Sequence, residues 1–186
     1  MLATGLVNRV IARSSLVPND PVLDMRAFAW TQRLRDEWQA VRDEAVGLYL
    51  VTGSCGGLWE RGRAVADTVA RCPATARLLQ AVPGLDSAGF QVLKPGEQLP
   101  ARRGDTKALI SCHLGLVVPR NGDARMRIRD RVVRWAEGQT LVFDDSYEHQ
   151  LCNDSDDDRV VLAIRFARPL CNPGKWIADR LYSATR

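Results

Sequence analysis

The chain has two histidines, His113 and His149. These are the side chains best suited to moving a proton near neutral pH, because an unperturbed imidazole titrates there. His113 lies in the stretch Ala108 to Val118. Its period-two pattern puts Leu109, Ser111, His113, Gly115 and Val117 on one face and Ile110, Cys112, Leu114, Leu116 and Val118 on the other. The second set reads as core, so Ser111 and His113 look toward a pocket that later strands must close. In Arg159 to Phe166 the same alternation groups Arg159, Val161, Ala163 and Arg165 against Val160, Leu162, Ile164 and Phe166. An arginine opening such a strand points into a pocket or out to solvent, where it could instead neutralise the acidic residues just before it.

The elements that must position these groups change character along the chain. Residues 1–13 suit an amphipathic helix. Met25 to Val46 repeats Phe28, Trp30, Leu34, Trp38 and Val41 at helical intervals, and Leu58 to Leu79 does so with Val65, Val69 and Leu78. Between them, Leu48 to Thr52 reads as a short strand before a Gly53 to Gly57 turn. From about Ala88 the period becomes that of strands: 90–93, 108–118, 125–128, 132–135, 140–143 and 159–166. Short strands preceded by helices predict a mainly β sandwich or barrel with a helical layer packed on one sheet. With 186 residues and no linker or repeat, one domain is expected, long enough to bury a sizeable core. It divides into a mainly helical layer at 1–85, a β core at 88–168 and a helical extension at 169–186.

Composition narrows the function classes. A net charge of +4 permits an anionic partner, but the basic residues are scattered among acids. The one basic strand, Arg125-Met126-Arg127-Ile128-Arg129, reads as a solvated face opposite two buried residues, so nucleic acid is not expected. No apolar run approaches a membrane span. The five cysteines lack C-x-x-C spacing, which argues for a reducing cytoplasm rather than a disulfide framework. Gly53 to Gly57 lacks the spacing and lysine of a phosphate loop, and Asn153 to Asp158 lacks the glycine and terminal glutamate of a calcium loop. Lysine appears only at 94, 107 and 175 against many arginines, a composition common in GC-rich bacteria.

Two ordered blocks carry a more specific signal. His113-Leu114-Gly115-Leu116-Val117-Val118-Pro119 is followed by Gly138 to His149, containing Phe143-Asp144-Asp145-Ser146-Tyr147-Glu148-His149, and then by Arg159. Together with Phe90, Lys94-Pro95-Gly96 and Arg102-Arg103-Gly104, they resemble the aspartyl/asparaginyl β-hydroxylase family from about Cys72 to Pro169. The resemblance implies a double-stranded β-helix, a cupin-like jelly-roll barrel whose mouth binds iron(II), 2-oxoglutarate and substrate. It implies that His149 is the distal metal ligand, that Arg159 pairs with the distal carboxylate of 2-oxoglutarate, and that His113 lies near the other carboxylate.

The departures from that pattern are equally specific. Arg102 stands where the proximal ligand histidine belongs, and Gly104 stands at the carboxylate position that some members also leave as glycine. Ser111 replaces a second carboxylate-binding arginine, and Gln91 replaces a pocket serine. His149 is the one retained ligand, so no metal is held by the family plan. An arginine about 4 Å from a divalent ion is repelled by roughly 8 kcal/mol at an effective dielectric near 20. A site built from His113, His149 and Asp105 is the conceivable replacement.

The favoured expectation is an enzyme without a cofactor, acting by proton transfer, isomerisation or cyclisation on an anionic or carbonyl-bearing small molecule, in natural-product biosynthesis. His149, His113 and Arg102 are its expected catalytic residues, and Arg159, Ser111 and Gln91 its ligand-binding residues. One alternative is an active iron(II)/2-oxoglutarate hydroxylase of an amino acid, peptide or natural-product intermediate. The other is a non-catalytic binding or partner subunit. Asp144 and Asp145 read as turn caps, Tyr147 as packing and Cys112 as core.

Overall fold

The computed structural model describes residues 2–52 and 56–183. Eleven strands form two antiparallel sheets. The larger contains β1 (Val22–Leu23), β2 (Gly57–Glu60), β3 (Arg63–Ala64), β4 (Leu85–Leu93), β6 (Leu109–Val117), β9 (Thr140–Phe143) and β11 (Arg159–Ala167) in the order β1-β9-β6-β11-β4-β2-β3. The smaller contains β5 (Gln98–Arg102), β7 (Asp123–Ile128), β8 (Arg131–Arg134) and β10 (His149–Asp154) in the order β5-β10-β7-β8. From β4 to β11 the chain crosses repeatedly between the sheets, with β7 and β8 the one hairpin inside the smaller sheet. This wiring, β9-β6-β11-β4 facing β5-β10-β7-β8, is a double-stranded β-helix, the jelly-roll form expected from the sequence.

Alternation along the strands builds two apolar layers. Ile110, Cys112, Leu114 and Leu116 of β6 pack with Leu162, Ile164 and Phe166 of β11 against Phe28, Leu34, Val41, Leu48 and Leu79 from the helical side. A second cluster lies between the sheets: Leu93, Met126, Ile128, Trp135, Phe143, Leu151 and Val161. Cys112 is fully buried, and burial pushes its thiol up to about 12, as befits a small core residue. On the outer face of the smaller sheet, Arg125 pairs with Asp123 and Asp154 at 2.8 Å each while Met126 and Ile128 are buried, the solvated arrangement expected for that strand.

The helical layer is less regular than its periodicity predicts. Residues 25–46 are split into a 3-10 turn at Met25–Ala27, α2 (Thr31–Asp36) and α3 (Trp38–Thr52), following α1 (Leu2–Arg13). The break lets Phe28 and Trp30 turn edge-on to Phe166, with ring centroids 5.5 and 5.0 Å away. Leu48 to Thr52 is the last turn of α3 and not a strand, with Leu50 and Val51 exposed. Leu58 to Leu79 is not one helix but β2, β3, α4 (Ala66–Arg71) and α5 (Pro73–Gln80). Leu58 is buried in a strand because Gly57 pairs with Gly89, and two residues without side chains allow close backbone approach. The predicted Gly53 to Gly57 turn falls largely outside the described residues. Near the C-terminus, α6 (Gly174–Ser183) packs on α1. Among the described residues no helix is long and apolar enough to cross a membrane.

Candidate functional site

Between the sheets, at one end of the barrel, lies a cavity of about 440 Å³. Its walls follow from strand register. Ser111 on β6 stands beside Arg165 on β11 and Phe143 on β9, and Arg165 stands beside Ser87 on β4. One pleat along, His113 stands beside Ala163, and Ala163 beside Gly89. Across the cavity, Arg102 on β5 is the register partner of His149 on β10. Directly paired residues leave a sheet on the same face with Cβ atoms about 5 Å apart, so both side chains reach one wall. The cavity is lined by Gln91, Arg102, Ser111, His113 and His149, joined by Arg103, Gly104, Asp105, Phe143, Asp145 and Arg165.

Each titratable group is fixed differently. His149 is buried, and the Tyr147 carbonyl lies 3.0 Å from its Nδ1. A carbonyl only accepts, so Nδ1 carries the proton and Nε2 is left as the basic nitrogen of the neutral ring. His113 is arranged in the opposite sense. Trp135 Nε1 donates to its Nδ1 at 3.3 Å, which leaves Nε2–H as the ring's donor. Burial, then the charges of Arg159, His149 and Arg102, hold the His113 imidazole neutral well below its ordinary range. His113 is therefore a fixed hydrogen-bond donor and not the proton acceptor of the pair.

Arg102 is exposed at the cavity mouth, and its side chain has no hydrogen-bond or ion-pair partner among the described residues. Arg159 departs from expectation. It does not line the cavity with His113 and His149 but lies behind them, 1% exposed, with its guanidinium 4.4 Å over the Trp135 ring. The reason is register: Arg159 pairs with Leu93 at the far end of β4, so its side chain enters the barrel beneath the indole that His113 stacks upon. It makes no ion pair with the acidic residues before it, and its Nε and Nη1 have no partner in the protein. Burial lowers its pKa to about 10, with Glu97 opposing the shift. Two idle donors on a buried guanidinium match the chemistry of a carboxylate such as that of 2-oxoglutarate, but Arg159 is not among the residues that line the cavity.

Iron(II) fits less well. The usual non-heme site has two histidines and a carboxylate, and among the described residues no three His, Cys, Asp or Glu side chains gather into such a group; a two-histidine site would need a histidine where Arg102 stands. The combination of His113, His149 and Asp105 is thus not assembled. His113 Nδ1 is occupied by Trp135, and the side chain next to His149 is a cation.

Sequence reasoning missed four contributors: Trp135, Phe143, Asp145 and Arg165. The two aspartates ending β9 part company. Asp144 is fully buried, bonded to Lys107 Nζ at 2.7 Å, to Arg168, and to the Ser146 amide and hydroxyl. It locks the turn. Asp145 faces the cavity, where its Oδ2 accepts from Ser111 Oγ at 3.0 Å and lies 3.3 Å from Arg165 Nε. Its backbone carbonyl accepts from Gly104 N at 2.7 Å, tying the β5 loop to the β9 turn. The Phe-Asp-Asp sequence was a visible signal, but nothing local says which aspartate turns inward.

Comparison with known proteins gives this cavity a lineage. The chain is 33% identical over 181 residues to an ornithine lipid ester-linked acyl 2-hydroxylase of Rhizobium tropici, covering 86% of this chain and 64% of that one. It is 30% identical over 154 residues to the human aspartyl/asparaginyl beta-hydroxylase, covering 75% of this chain and 20% of that protein. The chain thus spans less than two thirds of either relative. Among solved structures, a 2OG-Fe(II) oxygenase family oxidoreductase from Burkholderia pseudomallei is similar with a TM-score of 0.45 at 13% identity, covering 64% of this chain and 70% of that one. The family model for aspartyl/asparaginyl beta-hydroxylase matches residues 54–169. That match takes in more than half of the chain and every residue of the cavity: the protein belongs to the aspartyl/asparaginyl β-hydroxylase family.

Proposed function

We propose that this family member has given up iron and performs metal-independent, non-oxidative chemistry on a carboxylate- or carbonyl-bearing small molecule. The observation that carries the reading is the register pair Arg102 and His149, a cation beside the retained histidine where a second ligand would be needed. In this reading His149 Nε2 removes a proton from the carbon next to a substrate carbonyl. The electron pair moves onto the carbonyl oxygen, where Arg102 and the His113 Nε2–H stabilise the developing charge. Returning the proton from His149 to another atom completes an isomerisation, and attack by the enolate carbon on an internal carbonyl, with the proton on His149 passing to the alkoxide so formed, would complete a cyclisation. The Rhizobium relative's name puts its chemistry at the 2-position of an acyl group, which is also the carbon whose proton a base can take. A cytoplasmic setting and a biosynthetic role belong to the same reading.

A second reading, an iron(II)/2-oxoglutarate hydroxylase, is favoured by Arg159, whose idle buried donors suit that cosubstrate, and by relatives named as hydroxylases. One experiment separates the two. Protein purified without chelators is titrated anaerobically with iron(II), and 2-oxoglutarate conversion to succinate is followed. The metal-free reading expects binding far below one equivalent and no succinate, with Arg102→His regaining iron affinity. Near-stoichiometric iron with turnover in the parent protein would establish the hydroxylase instead.

A further inference from the structure

Asp145 has a carboxylate oxygen that nothing in the protein uses. The residue is 8% exposed, its Oδ2 accepts from Ser111 and lies 3.3 Å from Arg165 Nε, and its Oδ1 is buried without a hydrogen-bond partner. Oδ1 lies against Gly104, whose missing side chain leaves it room. A Cβ built there would lie 2.5 Å from Oδ1 and 2.9 Å from Cγ, so any other residue would force the carboxylate to move. Gly104 is not in the left-handed region that would itself require glycine, so the notch is what calls for it. A buried carboxylate oxygen left unsatisfied is costly, and this one belongs to a residue that lines the cavity alongside Arg102 and Ser111.

We propose that Asp145 Oδ1, in the Gly104 notch, accepts a hydrogen bond from the substrate, so that the cavity selects acids carrying an amino or hydroxyl group over plain carboxylates. This rests on the reading of the cavity as a site for a carboxylate-bearing molecule. Arg102 at the mouth supplies the attraction for anionic groups, and Asp145 reads the N–H or O–H of the molecule that it draws in. The role is one of specificity, and it involves no bond breaking. Ser111 Oγ–H donates to the Oδ2 side. In an Asp145→Asn variant the amide oxygen would therefore take that side and the NH2 group the notch, turning the acceptor there into a donor.

The test uses the full chain and three probes of one length, glutarate, L-2-hydroxyglutarate and L-glutamate, each titrated calorimetrically. A hydrogen bond to a charged acceptor predicts that at least one substituted acid binds about tenfold or more tightly than glutarate. Which of the two does so identifies the donor as hydroxyl or amine. Gly104→Ala, which keeps the charge but displaces the carboxylate, and Asp145→Asn should each bring that ratio to about one while glutarate still binds. Equal affinities for all three acids in the parent protein overturn the proposal and leave the carboxylate reading standing, as does a preference that survives Gly104→Ala. If none of the three binds, the carboxylate reading fails and the proposal with it.

Discussion

Replacing Arg159 with methionine should make the ligand-free protein more stable. The guanidinium is 1% exposed, with Nε and Nη1 unpartnered. Its pKa falls from the usual 12.5 to about 10 because of burial. At 1.36 kcal/mol per pH unit, that fall corresponds to about 3 kcal/mol paid by the charged side chain in the folded state. The contact with Trp135 at 4.4 Å returns about 1–2 kcal/mol, so a volume-matched apolar side chain should gain on the order of 1–2 kcal/mol. For a chain of this size that is about 5 °C in Tm. The assay is a thermal melt in buffer free of carboxylates and phosphate, repeated with saturating 2-oxoglutarate or glutarate. The parent should gain stability with the acid, about 3 kcal/mol at a hundredfold excess over Kd, and Arg159→Met should gain none. A variant that melts below the parent without ligand would show that the guanidinium is already satisfied. Equal ligand-induced shifts in the two proteins would show that the acid binds elsewhere.

Three further outcomes are expected. Burial holds His113 neutral in the folded protein while the unfolded ring titrates near 6.5. Stability should therefore be complete above about pH 6.5 and fall by up to about 1.4 kcal/mol per pH unit below it, and denaturant titrations on His113→Gln should show a shallower slope. Asp144→Asn leaves Lys107 and Arg168 without their shared anion and should cost about 3–5 kcal/mol, a drop in Tm on the order of 10 °C. Arg102→Ala, at an exposed position, should leave the melting temperature within about 2 °C while weakening glutarate binding by about tenfold, a loss calorimetry would read directly.

The parts of the fold that were legible are those in which a strand has one wet face or one functional face. β6 and β11 sort their residues cleanly because one side meets the helical layer and the other meets the barrel interior. β5 and β10 were illegible for opposite reasons. β5 is an edge strand carrying Pro100 and almost wholly exposed, so no apolar alternation marks it. β10 is buried at His149 and again through Leu151, Cys152 and Asn153, with a bulge against β5 that breaks the period. These two strands hold Arg102 and His149, so the central pair of the site could be placed only through resemblance to a family register. Leu48 to Thr52 misled because its β-branched and apolar residues fit a strand locally, whereas α3 leaves them at an exposed helix end.

Arg159 and Arg102 sit in opposite environments, and that asymmetry bears on the proposed function. Arg159 is retained at a cost, held under Trp135 with idle donors, and such a group is tolerated where an anion repays its burial. Arg102 sits at the mouth, solvated and unpaired, where its charge costs little. Had the pocket simply decayed into a structural barrel, the buried cation would be the first residue whose replacement by an apolar one brought a gain. Its burial in the same barrel as His113, His149 and Asp145 is what the proposed acid-binding reading accounts for, and on that reading Arg102 beside His149 would change what is done to the acid.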